Sequence, residues 1–309
     1  MPLVILTWLT IWQTNTLIIM ENNFCIFIIS HGRPDNIITL KTLKDAGSQL
    51  PCFIVIDNED KTADKYFAKY GEKVLQFDKK YYASLVDNFD NSGNLRTTTH
   101  ARNACFDFAE KLGYKYFLVL DDDYREFKFR VKQGLIHPSD RFKIKKNIDN
   151  TFLRTLQYFI EANFTSICFS QGGDWFGGET NFNKKPKRKA MNSFFCSTER
   201  RFNFISRLNE DVNTYMQLSH TGNVFLTIPF IQLDQLPTQR NAGGMSAAYL
   251  DSGTYVKSFY TVICRPDCTQ INKMGRTEKR FHHLIDWTVA VPCIISEKYK
   301  KYENNALQP

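Results

Sequence analysis

Residues 116–120 (YFLVL) form an unbroken apolar run that ends directly in three carboxylates, Asp121-Asp122-Asp123. A run apolar at every position suits a strand buried on both faces, as in a parallel sheet. The chain must therefore carry three mutually repelling charges at the end of a buried element. In open α/β sheets the ends of the strands are where ligands bind. Two readings of the triplet stay open. One is a solvated acidic turn. The other is a site for Mg²⁺ or Mn²⁺, which take oxygen ligands from one or two carboxylates and from substrate phosphates.

The pattern upstream places this strand in a larger sheet. Residues 24–30 (FCIFIIS) and 52–56 (CFIVI) are apolar runs, and 73–77 reads as a third strand. Helical stretches over 36–46 and 63–70 separate them, giving β-α-β-α-β, the pattern of a parallel open sheet. Residues 78–96 read as irregular. Ala101, Ala104, Cys105, Phe108, Ala109 and Leu112 share one helix face, and Gly113 suits the residue that closes it. Further on, 127–131, 166–169, 224–231 and 287–295 read as strands. Residues 150–162, a stretch from Asn209-Glu210-Asp211 to about Leu218, and 254–263 read as helices. Residues 132–146 read as a basic loop. The expected fold class is α/β, a mostly parallel central sheet flanked by helices.

Hydrophobic residues make up 43% and charged residues 23%, a globular composition that excludes wholesale disorder. No repeat or linker divides the chain, so 21–309 reads as a single domain. Residues 1–20 look hydrophobic, but Gln13, Thr14, Asn15 and Thr16 interrupt them and no Lys or Arg precedes them. They read as a non-native leader before a start at Met20, against the alternative of a signal anchor. No membrane partner is expected. Most of the eight cysteines lie in apolar runs, which fits a reduced, cytoplasmic protein. Lys plus Arg is 40 against 32 acidic residues, a net charge of +8. That surplus predicts an anionic partner, whether nucleic acid, sugar nucleotide or anionic surface.

Several residues read as candidates for chemistry. After the first strand comes His31-Gly32-Arg33-Pro34-Asp35, where His31 and Arg33 are placed to meet a phosphate-bearing donor; an ordinary strand-to-helix turn is the alternative. Asp57 follows the second strand and suits hydrogen bonds with a nucleobase or ribose. His100 and Arg102, with Asn103, open an amphipathic helix, whose N-terminus favours anions; for Asn103 a capping role competes. Glu210 and Asp211 open another helix, where the dipole alone would favour them. Their functional reading is a general base for an acceptor hydroxyl. His283 is a candidate late metal ligand, against a plain core or surface histidine. Lys184, Lys185, Lys187, Arg188 and Lys189 form a basic loop suited to nucleic-acid phosphates, with Lys143, Lys145 and Lys146 as a second cluster. Trp175, Phe176, Phe194 and Phe195 are candidates for stacking on a base or for the core, with core favoured for the last two.

Taken together, the βαβαβ start, the Asp after strand two, the helix bearing Arg102-Asn103, the strand ending in DDD and the later Asn-Glu-Asp resemble GT-A type glycosyltransferases. The segments FIISHGRPDN, ARNACFDFAEKLGYKYFLVLDDDY, RLNEDVNTY and QRNAGGMS resemble the TET-associated glycosyltransferase family. The resemblance implies a GT-A fold, Mn²⁺ or Mg²⁺ on Asp121 and Asp123, and a UDP-sugar donor bound near Asp57 and by Asp122, the central member of the triplet. It also implies a catalytic base among Glu210 and Asp211, with Asp211 favoured. The acceptor it implies is the hydroxyl of 5-hydroxymethylcytosine or a related pyrimidine in DNA, within viral, bacteriophage-type DNA modification in a host cytoplasm. A glycan or protein hydroxyl, or a non-catalytic nucleic-acid-binding module on the same fold, are the alternatives.

Overall fold

A computed structural model describes residues 20–132, 135–136, 142–175, 188–235, 256–274 and 280–291. Strand β1 (Phe24–Ile29) is buried along its whole length. Its even-numbered residues Phe24, Ile26 and Ile28 enter one core, and Cys25, Phe27 and Ile29 enter a second core on the opposite face. This two-sided burial is why the run is apolar at every position. Helix α1 (Ile38–Asp45), β2 (Cys52–Asp57), α2 (Ala63–Tyr70), β3 (Val74–Phe77), α3 (Lys79–Ser84), α4 (Thr99–Leu112) and β4 (Tyr116–Asp121) complete the first half. Gly113 ends α4 in the left-handed conformation at φ 81°, as its sequence position predicts.

The second half begins without a gap. Strands β5 (Tyr124–Phe129), β6 (Val131–Lys132), β7 (Leu135–Ile136) and β8 (Phe142–Lys143) precede α5 (Ile148–Glu161), β9 (Ser166–Ser170) and β10 (Phe194–Ser197). Then come α6 (Glu210–His220), β11 (Phe225–Gln235), α7 (Val256–Cys264), the hairpin β12 (Thr269–Met274) and β13 (Arg280–Ile285), and α8 (Trp287–Ala290).

Among the described residues the central sheet has nine strands in the order β3-β2-β1-β4-β10-β9-β11-β5-β8. Of these, β10 and β5 run against the rest, since each pairs antiparallel with both of its neighbours while the other pairings are parallel. The expectation of a mostly parallel sheet flanked by helices is met. On one face, Leu43 of α1 and Phe152, Leu156 and Phe159 of α5 close the core. On the other, Ala104, Cys105 and Ala109 of α4 join Val212 and Met216 of α6. Each fully buried large side chain contributes about 1.5–3 kcal/mol, so the layers are fixed mainly by these two cores. Among the described residues no helix is long and apolar enough to cross a membrane.

Four expectations are corrected. Residues 79–84 are helical, because Asp78 caps the backbone N–H groups of Lys80 and Tyr81. Residues 287–290 form a helical turn rather than a strand, with Asp286 accepting from Thr288 N. The strand expected at 127–131 starts at Tyr124, directly after the acidic triplet. Part of the basic loop at 132–146 is short strand. The leader at 1–19 and Lys184, Lys185, Lys187 and Phe176 lie outside the described residues.

Candidate active site

Parallel pairing brings the carboxyl ends of β2, β1 and β4 side by side, with Ile29 opposite both Val55 and Asp121. The loops leaving these three strands form one lip of the sheet. Along it, the three adjacent aspartates have three different fates.

Asp122 is 4% exposed and turns back toward β1. Its carboxylate accepts from Ser30 Oγ at 2.6 Å and from Arg33 Nη1 at 2.6 Å. Both partners leave β1, so Asp122 latches the β1–α1 turn to β4. Gly32 lies in that turn at φ 71° and donates its N–H to Asp60 Oδ2 at 2.7 Å, a conformation that suits glycine. The expectation that Asp122 faces the donor is therefore corrected. Arg33, expected to meet phosphate, has part of its charge taken up by Asp122.

Asp121 Oδ1 accepts from Arg102 Nη2 at 3.0 Å. Burial raises its carboxyl pKa, although the Arg102 guanidinium opposes the rise. Asp123 differs from both: its Oδ1 is buried without a hydrogen-bond partner. Burial, together with the charges of Asp121 and Asp122, pushes the Asp123 carboxyl up to about 7. A half-buried carboxylate with one unpartnered oxygen, beside two other carboxylates, is an environment that a divalent cation relieves. Among the described residues no group of three His, Cys, Asp or Glu side chains could hold a metal. The unpartnered Asp123 Oδ1 is the one observation in the triplet that suits a hard cation, which would need substrate oxygens or water to complete its shell.

Beside the triplet, Asp57 is 5% exposed. It pairs with His31 Nδ1 at 2.6 Å and Lys79 Nζ at 3.2 Å. Burial opposes its ionisation, but His31 and Lys79 outweigh it and keep the carboxyl below its ordinary pKa. His31 remains accessible at the rim, with its side chain 39% exposed. His100 does not reach the rim. It is fully buried, its ring nitrogens have no hydrogen-bond partner, and burial and Lys79 push its pKa down to about 4. It is a neutral ring beneath the Asp57–Lys79 pair, which corrects its expected contact with the donor. Asn103 does not cap the helix; it is buried and exchanges two hydrogen bonds with the Phe204 backbone, a structural role.

Arg102 is the residue that joins the two halves of the site. It is 2% exposed, so it is no surface cation for a diphosphate. Its guanidinium lies over the Phe194 ring at 4.8 Å and near Phe204 at 5.7 Å. Nη1 donates to Glu210 Oε1 at 2.5 Å, while Nη2 holds Asp121. Burial works against its charge, but Glu210, Asp121 and Asp211 outweigh it and raise its pKa. Phe194 and Phe195 are core residues as expected. Trp175 is 7% exposed with Arg130 stacked at 4.7 Å, which places it in the interior rather than on a base-stacking surface.

Asn209 precedes α6 at φ 56°, a left-handed conformation that Asn tolerates better than most residues. Its Nδ2 donates to Thr261 Oγ1 at 2.8 Å and meets His283 Nδ1 at 3.2 Å. An amide NH₂ can only donate, so His283 Nδ1 accepts and its ring proton sits on Nε2. Burial, His282 and two lysines push His283 down to about 3, so the ring is neutral. Nδ1 is thus engaged by Asn209, and a metal at His283 would have to displace the proton on Nε2. Glu210 Oε1 also accepts from Thr98 Oγ1 at 2.5 Å. Asp211 is 7% exposed and accepts the Val212 N–H at 2.7 Å. Burial and the neighbouring Glu210 push its carboxyl up to about 6, with Arg102 opposing.

Of the basic loop, Arg188 Nη2 donates to Asn223 O at 3.2 Å, and Lys189 Nζ pairs with Asp174 at 2.5 Å. These two serve the protein's own framework. Lys145 and Lys146 are exposed, and the neighbouring Phe142 is 57% exposed. Sequence reading missed Ser30, Lys79, Thr98 and Phe204. Each acts through a partner distant in sequence, and no local motif marks it.

The family model for the TET-Associated Glycosyltransferase matches residues 24–244, more than half of the chain. No curated protein matches. Among solved structures, the chain is similar to glucosyl-3-phosphoglycerate synthase from Mycobacterium tuberculosis in complex with Mn²⁺, UDP and phosphoglyceric acid. That match has 8% identity and a TM-score of 0.42, and covers 85% of this chain and 87% of the other. The same enzyme with UDP, Mn²⁺ and glucosyl-3-phosphoglycerate matches over the same shares at 8% identity and a TM-score of 0.43.

Proposed function

The chain belongs to the TET-associated glycosyltransferase family, and we propose that it transfers a sugar from a UDP-sugar to the hydroxyl of 5-hydroxymethylcytosine in DNA. One observation carries the catalytic part of this reading. Two acidic centres, Asp121 with Asp123 and Glu210 with Asp211, are held together by the buried cation of Arg102. The first centre suits a metal-bound diphosphate and the second suits an acceptor hydroxyl.

Asp123 and Asp121 would hold Mn²⁺ or Mg²⁺, whose chemistry is to neutralise the leaving diphosphate and orient it. Asp57, backed by Lys79 and His31, is assigned the uracil or ribose of the donor. Asp211 takes the proton of the attacking hydroxyl, and a single displacement of this kind inverts the sugar's anomeric configuration. Glu210 is engaged by Thr98 and Arg102, so Asp211 is the freer carboxylate of the pair. DNA as acceptor is supported by the family resemblance and by the surplus of 40 basic over 32 acidic residues. A base stacked in a duplex has to be extruded, at a cost of a few kcal/mol. Phosphate contacts from basic loops offset that cost.

The base assignment fixes a pH dependence. Asp211 acts only when ionised, and its carboxyl is held near about 6. The transfer rate at saturating donor therefore falls about tenfold per pH unit on the acid side of that value and levels off above it. A rate that stays flat down to about pH 5 contradicts the assignment.

The DNA reading has its own check. Lys184, Lys185 and Lys187 changed together to Gln weaken duplex binding, leaving Arg188 and Lys189 to their structural partners. The slope of log K against log salt drops by about 0.9 for each phosphate that the loop no longer neutralises. An unchanged slope removes this loop from the DNA interface. The direct test of function incubates the protein with Mn²⁺, hydroxymethylcytosine DNA and a panel of UDP-sugars, then weighs the nucleosides. A mass gain of one sugar on hydroxymethylcytosine supports the acceptor. Donor hydrolysis with unmodified DNA contradicts it.

A further inference from the structure

We propose that Arg102 is a positioning residue that sets the donor-side carboxylate Asp121 and the base-bearing helix α6 in one fixed relation, and that it leaves Asp211 free by occupying Glu210. The inference rests on the functional reading above and deepens it.

Four observations carry it. First, Arg102 is buried to 2% exposure, yet it is fully forked: one arm reaches Asp121 at 3.0 Å and the other Glu210 at 2.5 Å. A planar guanidinium can bridge two carboxylates on different elements, which a lysine ammonium on a flexible stem cannot do with the same geometry. Second, Phe194 at 4.8 Å and Phe204 at 5.7 Å pack against the guanidinium and restrict the fork. Third, Thr98 lies one turn before Arg102 and holds the same Glu210 oxygen. The start of α4 thus grips the start of α6 at two points. Fourth, Asp211 has a different contact, the Val212 N–H. One member of the acidic pair is tied down and its neighbour is left for chemistry.

Two parts of a reaction that must meet within near-attack distance are sensitive to their spacing, and a misplacement of about 1 Å costs about 10²-fold in rate. Arg102 spans the structure where that spacing is set. It is 2% exposed and both its arms are taken by Asp121 and Glu210, so its removal should act on turnover and spare donor binding.

The test compares Arg102→Lys with the parent protein in two measurements. One is the kcat and donor KM for transfer. The other is UDP binding by calorimetry, with and without Mn²⁺, which needs no turnover. The expected result for Arg102→Lys is a kcat lower by about 10²-fold with donor KM and UDP affinity within about threefold. A raised KM and weakened UDP binding at unchanged kcat would make Arg102 a direct donor ligand and overturn the proposal. Parental kcat and KM would overturn it as well. If Arg102→Lys does not fold, Glu210→Gln serves instead. It keeps an oxygen for Arg102 and Thr98 but loses the charge that holds the fork. It is expected to lower kcat at least tenfold at unchanged UDP affinity, and parental turnover in that variant overturns the proposal. Asp211→Asn, assayed alongside, separates the two levels. If it retains transfer, the functional reading fails. If it is inactive while Arg102→Lys and Glu210→Gln match the parent, only the positioning role fails.

Discussion

Asp211→Asn lowers the transfer rate by about 10²–10⁴-fold, the range that a positioned general base contributes, while UDP affinity stays at the parental level. The substitution is nearly isosteric, and Asn can still present an oxygen to the Val212 N–H that Asp211 engages at 2.7 Å. It removes only the ability to take a proton. The acid limb of the pH profile, set by a carboxyl near about 6, disappears with it. Residual activity that keeps the same acid limb would assign that limb to another group. Steady-state transfer at several pH values, with UDP calorimetry as the control for folding, makes the measurement.

Asp123→Asn is expected to have two opposite effects. Mn²⁺-dependent turnover of the donor is abolished, because the unpartnered carboxylate oxygen that would meet the cation is replaced by a neutral amide. The metal-free protein, in contrast, becomes more stable. The Asp123 carboxyl is pushed from 3.8 to about 7 by burial and by Asp121 and Asp122. The native state therefore holds a proton that the unfolded chain has already released, and stability declines as pH rises through that interval. Removing the charge recovers that stability above the interval and changes little below it. Each kcal/mol recovered raises Tm by about 2–4 °C in a chain of this size class. Thermal melts of parent and variant at acidic and neutral pH, with and without Mn²⁺, show both effects. A variant less stable than the parent at neutral pH, or one still stabilised by Mn²⁺, contradicts the assignment. The pattern fits a site that trades stability for function.

Much of the sheet was legible in the sequence because its strands are buried on both faces. FCIFII, CFIVI and YFLVL are apolar throughout, and their spacing by helical stretches implies parallel pairing. The later elements were harder. Strand β10 is only four residues long, and the β12–β13 hairpin carries polar residues such as Gln270, Asn272 and His282. Neither pattern separates a strand from a loop. The short α8 was hidden for another reason: the apolar letters of WTVA suggest a strand, and Asp286 turns them into a helix by capping.

Within the site, residue type and place along the strand pointed to Asp57, the acidic triplet and the Glu210–Asp211 pair. They could not assign a direction to each side chain. Asp121, Asp122 and Asp123 are neighbours in sequence, yet one meets Arg102, one meets Ser30 and Arg33, and one keeps a buried oxygen unpartnered. That division depends on contacts across 19 and 89–92 residues of chain. His100 and Arg102 shared a helix N-terminus that suggested anion binding, but the packing of α4 against the sheet buries both. His283 read as a ligand, and nothing in the sequence signals that Asn209 engages its Nδ1. Pairing across the fold, invisible in one sequence, decides which polar residue supports the site and which acts in it.

The central claim is that the Asp123 carboxylate, with Asp121 beside it, meets a cation on the donor diphosphate at the end of β4. Crystals grown with UDP and Mn²⁺, measured at a wavelength where manganese scatters anomalously, test it most directly. The expected result is an anomalous peak about 2.1 Å from an Asp123 carboxylate oxygen, bridged to the UDP phosphates. A peak held by other residues, or UDP bound with Asp123 turned into the protein and no metal beside it, would take the cation away from Asp123.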